Sequence, residues 1–107
     1  MNLSLLPDAQ AELDDAVQWY EAQSAGLGAR FLSEIVHAFG LIQRFPTAWH
    51  PLGPSTRRCR LKRFPYAVIY ALEGDDVVVV AVAHLHRKPA YWSTRMMQYF
   101  PGQPDHD

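Results

Sequence analysis

The sequence predicts an α+β domain in which a helical hairpin packs on a small antiparallel sheet. Two apolar stripes at helical spacing flank Gly26-Leu27-Gly28, and two runs rich in Val, Ile and Tyr flank Glu73-Gly74-Asp75-Asp76. Between the turn and His84 lies the unbroken run Val77-Val78-Val79-Val80. Stripes at helical spacing mark amphipathic helices, and short apolar runs around a Gly/Asp turn mark a strand hairpin. The predicted order is strand, helix, helix, strand, strand, strand, then a short C-terminal helix.

Each element has its own local reason. Asn2 to Leu6 reads as a short strand, and Pro7 closes it at a position suited to the first residue of a helix. From there Ala9, Leu13, Ala16, Val17 and Tyr20 recur at helical spacing, with acids early in the helix where its positive end favours them. Gly26 and Gly28 end that helix; they lack the length and the lysine of a phosphate-binding loop. Phe31, Ile35, Ala38, Phe39, Ile42 and Phe45 form the second stripe, which stops at Pro46. Two helices joined by so short a turn lie antiparallel. Trp19, Tyr20, Phe31, Phe39 and Phe45 are expected in the core, as are Tyr66 and Tyr70.

Residues 46–56 hold three prolines and a glycine and read as a loop. Arg57 to Phe64 alternates imperfectly, with Cys59 and Leu61 on one face and Arg58, Arg60 and Lys62 on the other. Ala67 to Leu72 and Val77 to His84 pair antiparallel around their turn. A strand with no polar face is covered on both sides, which places Val77 to Val80 centrally in the sheet. The segment from Pro89 to Phe100 forms the last helix. The domain is expected to span residues 1–98, with 99–107 as a frayed tail.

The chain has 107 residues, 49% of them hydrophobic and 20% charged, enough for one domain with one modest core. That composition excludes a disordered chain, and no apolar run approaches the ~20 residues a membrane-spanning helix needs. The start, Met1-Asn2-Leu3-Ser4-Leu5-Leu6-Pro7, lacks the basic residue and long apolar stretch of a secretory signal. A single cysteine, Cys59, allows no internal disulfide, so a reducing cytoplasmic setting is expected. The net charge of -1 conceals a split, with residues 1–43 carrying -5, residues 44–100 carrying +6 and the last acids -2. Either the basic half is offered to phosphates or an acidic partner, or acidic helices neutralise a basic sheet.

Chemistry-bearing constellations are few. His84 and His86 share a strand face but have no third ligand nearby, so no metal site is expected. Cys59 alternates into the core beside Leu61 and has no paired base. Trp49, Tyr91 and Trp92 come from loop or tail and are expected as exposed anchors.

An ordered set of short motifs resembles the RelE/ParE family of type II toxins. It comprises Glu12-Leu13, Trp19-Tyr20-Glu21, Gly26-Leu27-Gly28 with Arg30-Phe31, Phe45-Pro46, Arg63-Phe64-Pro65-Tyr66, Ile69-Tyr70, and Arg87-Lys88-Pro89-Ala90-Tyr91-Trp92 with Arg95. The resemblance covers about Leu3 to Arg95. It implies a cytoplasmic bacterial toxin silenced by an antitoxin that wraps around it. ParE-like members poison DNA gyrase, whereas RelE-like members cut messenger RNA in the ribosome. The late segment with Pro89, Tyr91 and Trp92, and the Trp19-Tyr20 to Gly28 signature, are similar to the ParE-like branch.

On that reading no residue is catalytic and no cofactor is needed. Arg87, Lys88, Tyr91, Trp92 and Arg95 contact gyrase, and Arg58 and Arg60 contact the antitoxin. Metal-free RNA cleavage is the alternative, since it needs a base, cations and an acid, for which Arg60, Lys62, Arg87 and Tyr91 are the candidates. A third possibility is a nontoxic module that only binds its partner and represses transcription with it.

Overall fold

The computed structural model describes residues 1–88 and 90–100; Pro89 and residues 101–107 of the expected frayed tail 99–107 lie outside the described residues, whereas Tyr99 closes the last helix and the Phe100 N–H donates to the Met96 carbonyl at 2.8 Å. The elements are β1 (Asn2–Leu5), α1 (Pro7–Gln23), α2 (Leu27–Arg44), β2 (His50–Pro51), β3 (Thr56–Arg60), β4 (Tyr66–Glu73), β5 (Asp76–His84) and α3 (Ala90–Tyr99). The expected α+β order holds, with a two-residue strand added inside the proline-rich loop.

One five-stranded sheet runs β1-β5-β4-β3-β2. The β3, β4 and β5 meander is antiparallel, as expected, but β1 pairs parallel with β5, Leu3 opposite Val77 and Leu5 opposite Val79. The sheet is therefore mixed. A parallel neighbour requires a long crossover, and here α1, α2 and strands β2 to β4 separate the two strands in sequence. β3 ends at Arg60 rather than Phe64, because the Glu34 carboxylate accepts the backbone N–H groups of Lys62 (3.0 Å) and Arg63 (3.2 Å) and turns the chain away from the ladder.

The helical hairpin covers one face. Pro7 opens α1, and Ala9, Leu13, Ala16 and Tyr20 form its buried stripe. At the turn Gly26 takes φ 87°, a left-handed conformation, and the Glu21 carboxylate accepts the N–H groups of Gly26 (2.9 Å) and Gly28 (3.0 Å). Gly28 also lets the helices touch, since a Cβ there would lie 2.6 Å from the Val17 carbonyl oxygen. The glycines thus do more than end a helix. Phe31, Ile35 and Ile42 of α2 then pack on Val68, Tyr70, Val77, Val79 and Val82. Tyr70 is fully buried and donates its hydroxyl to the Pro46 carbonyl (2.6 Å).

The opposite face carries a smaller core in which Trp92 and Met96 of α3 and Leu6 meet Ala67, Ile69, Ala71, Val80, Ala81 and Ala83. Both faces of β5 are covered, as its unbroken valines predict. A bulge makes this possible: Ile69 pairs with Ala81 but Tyr70 with Val79, so Val80 is an extra residue and the alternation shifts by one. Val77, Val79 and Val82 consequently serve the hairpin side while Val80, Ala81 and Ala83 serve α3.

Five aromatics differ from expectation. Trp19 is 59% exposed because it stands beside the buried stripe of α1, and Phe45 is exposed because it caps α2 beyond its last helical residue. Trp49 and Tyr91 are half-buried rather than exposed, Trp49 against the main core and Tyr91 against the second. Trp92 is only 6% exposed, because α3 folds back on the sheet instead of projecting.

Candidate functional site

β1 covers the outer edge of β5 only as far as Val79, whose carbonyl accepts the Leu6 N–H at 2.9 Å. The strand continues to His84, and its uncovered backbone groups need partners. Two side chains supply them. The Val82 N–H donates to Glu12 Oε1 (3.0 Å), and Arg95 Nη1 donates to the Val80 carbonyl (3.0 Å).

Glu12 and Arg95 also bind one another through two parallel hydrogen bonds, Nη1 to Oε1 at 2.9 Å and Nη2 to Oε2 at 2.8 Å. Their side chains are 16% and 13% exposed. Because Glu12 belongs to α1 and Arg95 to α3, the pair ties the two helical layers together around the sheet edge. Asp8, one helical turn before Glu12, adds a contact to Arg95 Nε at 3.4 Å. The hydrogen bond to Glu12 raises the Arg95 pKa, outweighing the burial that lowers it.

Arg87 and Tyr91 extend this cluster outward. The Arg87 guanidinium lies 3.8 Å from the centre of the Tyr91 ring and 4.0 Å from Glu12 Oε2. Arg95 approaches the same ring at 5.0 Å. Burial, and then the Glu12 charge, push the Tyr91 phenol up to about 12; its hydroxyl makes no well-formed hydrogen bond. Beside these groups is a cleft of about 280 Å³ lined by Glu12, Asp15, Trp19, Tyr66, His84, Arg87 and Tyr91. Of its aromatic lining, Tyr66 stands edge-on to His84 (5.1 Å), and buried Tyr20 lies behind the cleft, edge-on to both Trp19 (5.1 Å) and Tyr66 (6.1 Å).

Of the expected target contacts, Arg87 and Lys88 are exposed, Tyr91 is half-buried, and Trp92 and Arg95 point inward. Arg87, Tyr91 and Arg95 come together, with Arg95 serving as an internal tie. The four nuclease candidates do not share one site. Arg87 and Tyr91 line the cleft, Lys62 lines a groove beside α2, and Arg60 stands exposed at the end of β3. Of the two expected antitoxin contacts, Arg60 is exposed, whereas Arg58 is half-buried in a small pocket against Leu52 and Trp92. Cys59 faces the core, where burial pushes its thiol up to about 11. β5 ends at His84, so His86 lies in the turn beyond the strand rather than on its face; the two rings are 5.2 Å apart and inclined at 58°, and among the described residues no three His, Cys, Asp or Glu side chains are grouped to hold a metal.

Glu12, which the sequence reading places among the early acids of the first helix and in the Glu12-Leu13 motif, is given no role in a site there. A signal was present, since Ala9, Glu12, Leu13 and Ala16 follow the i, i+3, i+4, i+7 spacing of one helix face. An acid on a stripe's border is drawn toward the interior, where a charge has to be paired.

No helix among the described residues is long and apolar enough to cross a membrane. No curated protein matches the sequence. The fold is similar to a solved structure of the chromosomal ParDE toxin-antitoxin system from P. aeruginosa, with a TM-score of 0.58 and 15% identity over 80% of this chain and 97% of that one. The family model described as "ParE toxin of type II toxin-antitoxin system, parDE" matches residues 3–89. That span runs from β1 through the end of β5 to the start of α3, and on it the chain belongs to the ParE toxin family of type II toxin-antitoxin systems.

Proposed function

We propose that this toxin arrests growth in the cytoplasm by binding DNA gyrase, without chemistry of its own, and that a cognate antitoxin holds it silent. The observation that carries the binding reading is the dispersal of the RNA-cleavage candidates. Arg87 and Tyr91 line the cleft at β5, while Lys62 and Arg60 stand elsewhere. Proton transfer requires its groups within hydrogen-bond reach of one substrate, and a phenol held near 12 is a poor base at neutral pH.

The target surface on this reading is centred on Arg87 and Lys88. Arg87 keeps 58% of its side chain exposed although it is stacked on Tyr91. A cation held over an aromatic ring loses little further freedom on binding, which favours affinity. Tyr91, Trp92 and Arg95 contribute by position: Trp92 anchors α3 in the second core and Arg95 fastens it to Glu12. Arg58 and Arg60 remain our proposed antitoxin contacts, with exposed Arg60 meeting the partner directly.

Two assays on the purified protein decide the target. Supercoiling by gyrase is expected to fall in proportion to added toxin, and Arg87→Glu/Lys88→Glu is expected to relieve it. Unaffected supercoiling together with codon-dependent cuts in a translating extract would overturn the gyrase reading in favour of a ribosome-dependent nuclease. If neither assay responds while the antitoxin still binds, the protein is a partner-binding module.

A further inference from the structure

The face of the sheet that α3 covers holds a small pocket of about 80 Å³. Its floor follows from the register of the strands, which sets Arg58 opposite Ile69 and Ala67 opposite Ala83. Two paired alanines leave a space that larger side chains would fill. Trp92 of α3 walls one side. Leu52 and Leu85 come from loops fixed by backbone hydrogen bonds, the Leu52 N–H donating to the Thr56 carbonyl and the Leu85 N–H to the Pro65 carbonyl, each at 2.8 Å.

The polar side chains of this pocket are Arg58, His84 and Arg87, and no Asp or Glu lines it. Arg58 forms no ion pair among the described residues, and its Nε is buried without a hydrogen-bond partner. A buried donor left unpaired costs the desolvation of that group, so Arg58 Nε marks a place where an acceptor belongs. His84 Nδ1 accepts the His86 N–H (3.1 Å), so the neutral ring carries its proton on Nε2 and is a further donor. Two guanidinium groups with no acid between them raise the local affinity for anions.

The walls identify the kind of anion. Leu52, Ile69, Leu85 and Trp92 make the space between the cations apolar, and a phosphate dianion there would leave oxygens buried without donors. A carboxylate has two oxygens, which match Nε and one Nη of a guanidinium side-on. An apolar cavity of about 150 Å³ holds a benzene ring, so about half that volume suits a hydrocarbon body of about three to five carbons.

We infer that this pocket binds a small aliphatic monocarboxylate, its oxygens side-on to Arg58 with Arg87 as the second cation, and its hydrocarbon body resting on Ala67, Ala83 and Trp92. The inference does not depend on what the toxin poisons. It gives half-buried Arg58 a ligand of its own, while exposed Arg60 faces outward from the same strand.

The test is an NMR titration of the isotope-labelled full chain with sodium 3-methylbutanoate at constant ionic strength, read at the Trp92 indole N–H and the Ala83 amide. Both signals are expected to shift saturably. The neutral isostere 3-methylbutanamide is expected to bind about tenfold more weakly, because it brings no charge to the guanidinium. Arg58→Gln is expected to weaken the carboxylate about tenfold, and Arg58→Lys, which keeps the charge but loses the fork, about fivefold. Arg44→Gln, at the end of α2, is expected to change the affinity less than about twofold. If Arg58→Gln fails to fold, Arg58→Lys carries the comparison. The inference is overturned if neither signal shifts saturably, if the amide binds as well as the carboxylate, or if cooperatively melting Arg58 variants keep the wild-type affinity. Inorganic phosphate that moves the same signals with higher affinity than the carboxylate would overturn the class of ligand.

Discussion

Replacing Arg95 by Met tests the tie between the layers most directly. Arg95→Met keeps the aliphatic stem beside Tyr91 but removes both hydrogen bonds to Glu12 and the one to the Val80 carbonyl. It strands a carboxylate that is 16% exposed and a strand carbonyl with no neighbouring strand. Removing one partner of a buried pair costs about 3–5 kcal/mol, mostly through the charge left behind. Arg87, already 4.0 Å from Glu12, offsets part of that loss, so the expected cost is about 3 kcal/mol. For a domain of this size each kcal/mol corresponds to about 4–8 °C, so the melting midpoint is expected to fall by about 15 °C. Circular dichroism melts of the wild type, Arg95→Met, Glu12→Leu and the double variant form a double-mutant cycle. The double variant is expected to recover about 2 kcal/mol relative to the sum of the singles, because neither charge is then orphaned. A cycle that closes to within about 0.5 kcal/mol of additivity would mean that Glu12 and Arg95 do not stabilise one another, as would an Arg95→Met midpoint within about 3 °C of wild type.

Other perturbations follow from the same geometry. Gly28→Ala places a Cβ 2.6 Å from the Val17 carbonyl oxygen, so overpacking is expected to cost about 1–3 kcal/mol in a denaturant titration, while a more stable protein would mean the helices can part without loss. Val79→Asp buries a carboxylate between β1 and β4 at a fully buried position, a cost of several kcal/mol that is comparable to the stability of the domain; soluble expression is expected to be lost, and a cooperatively melting Val79→Asp protein would mean the layer order is wrong. Stability is expected to fall as pH rises from 9 toward 11, because the Cys59 thiol ionises from 9.0 when unfolded and from about 11 when folded, so only the unfolded chain releases its proton in that window. Cys59→Ala is expected to flatten that decline, leaving the one that Tyr70 and Tyr91 cause between 10 and about 12, and an unchanged pH profile would contradict the burial of the thiol.

Both hairpin helices, β1, β4, β5 and the last helix were legible from neighbouring residues, because helix and strand periods are local. Ala9, Leu13, Ala16 and Tyr20 specify one helix face wherever the helix docks, and Val77 to Val80 demand cover on both sides whatever supplies it. The glycine turn, the strand hairpin and the ordered motifs that mark the ParE family are local in the same sense. How these pieces face one another is a matter of long-range packing. The parallel direction of β1 depends on the path of the chain between it and β5, and the bulge at Val80 depends on what each face of β5 must meet. Burial depended on docking as well: Trp19, on a well-formed helix, stays outside, while Trp92, from a segment expected to project, fills the second core. Glu12 and Arg95 stand 83 positions apart. No periodicity spans such a distance, because their partnership exists only once β1 stops short of Val80 and the exposed strand edge needs one acceptor from α1 and one donor from α3.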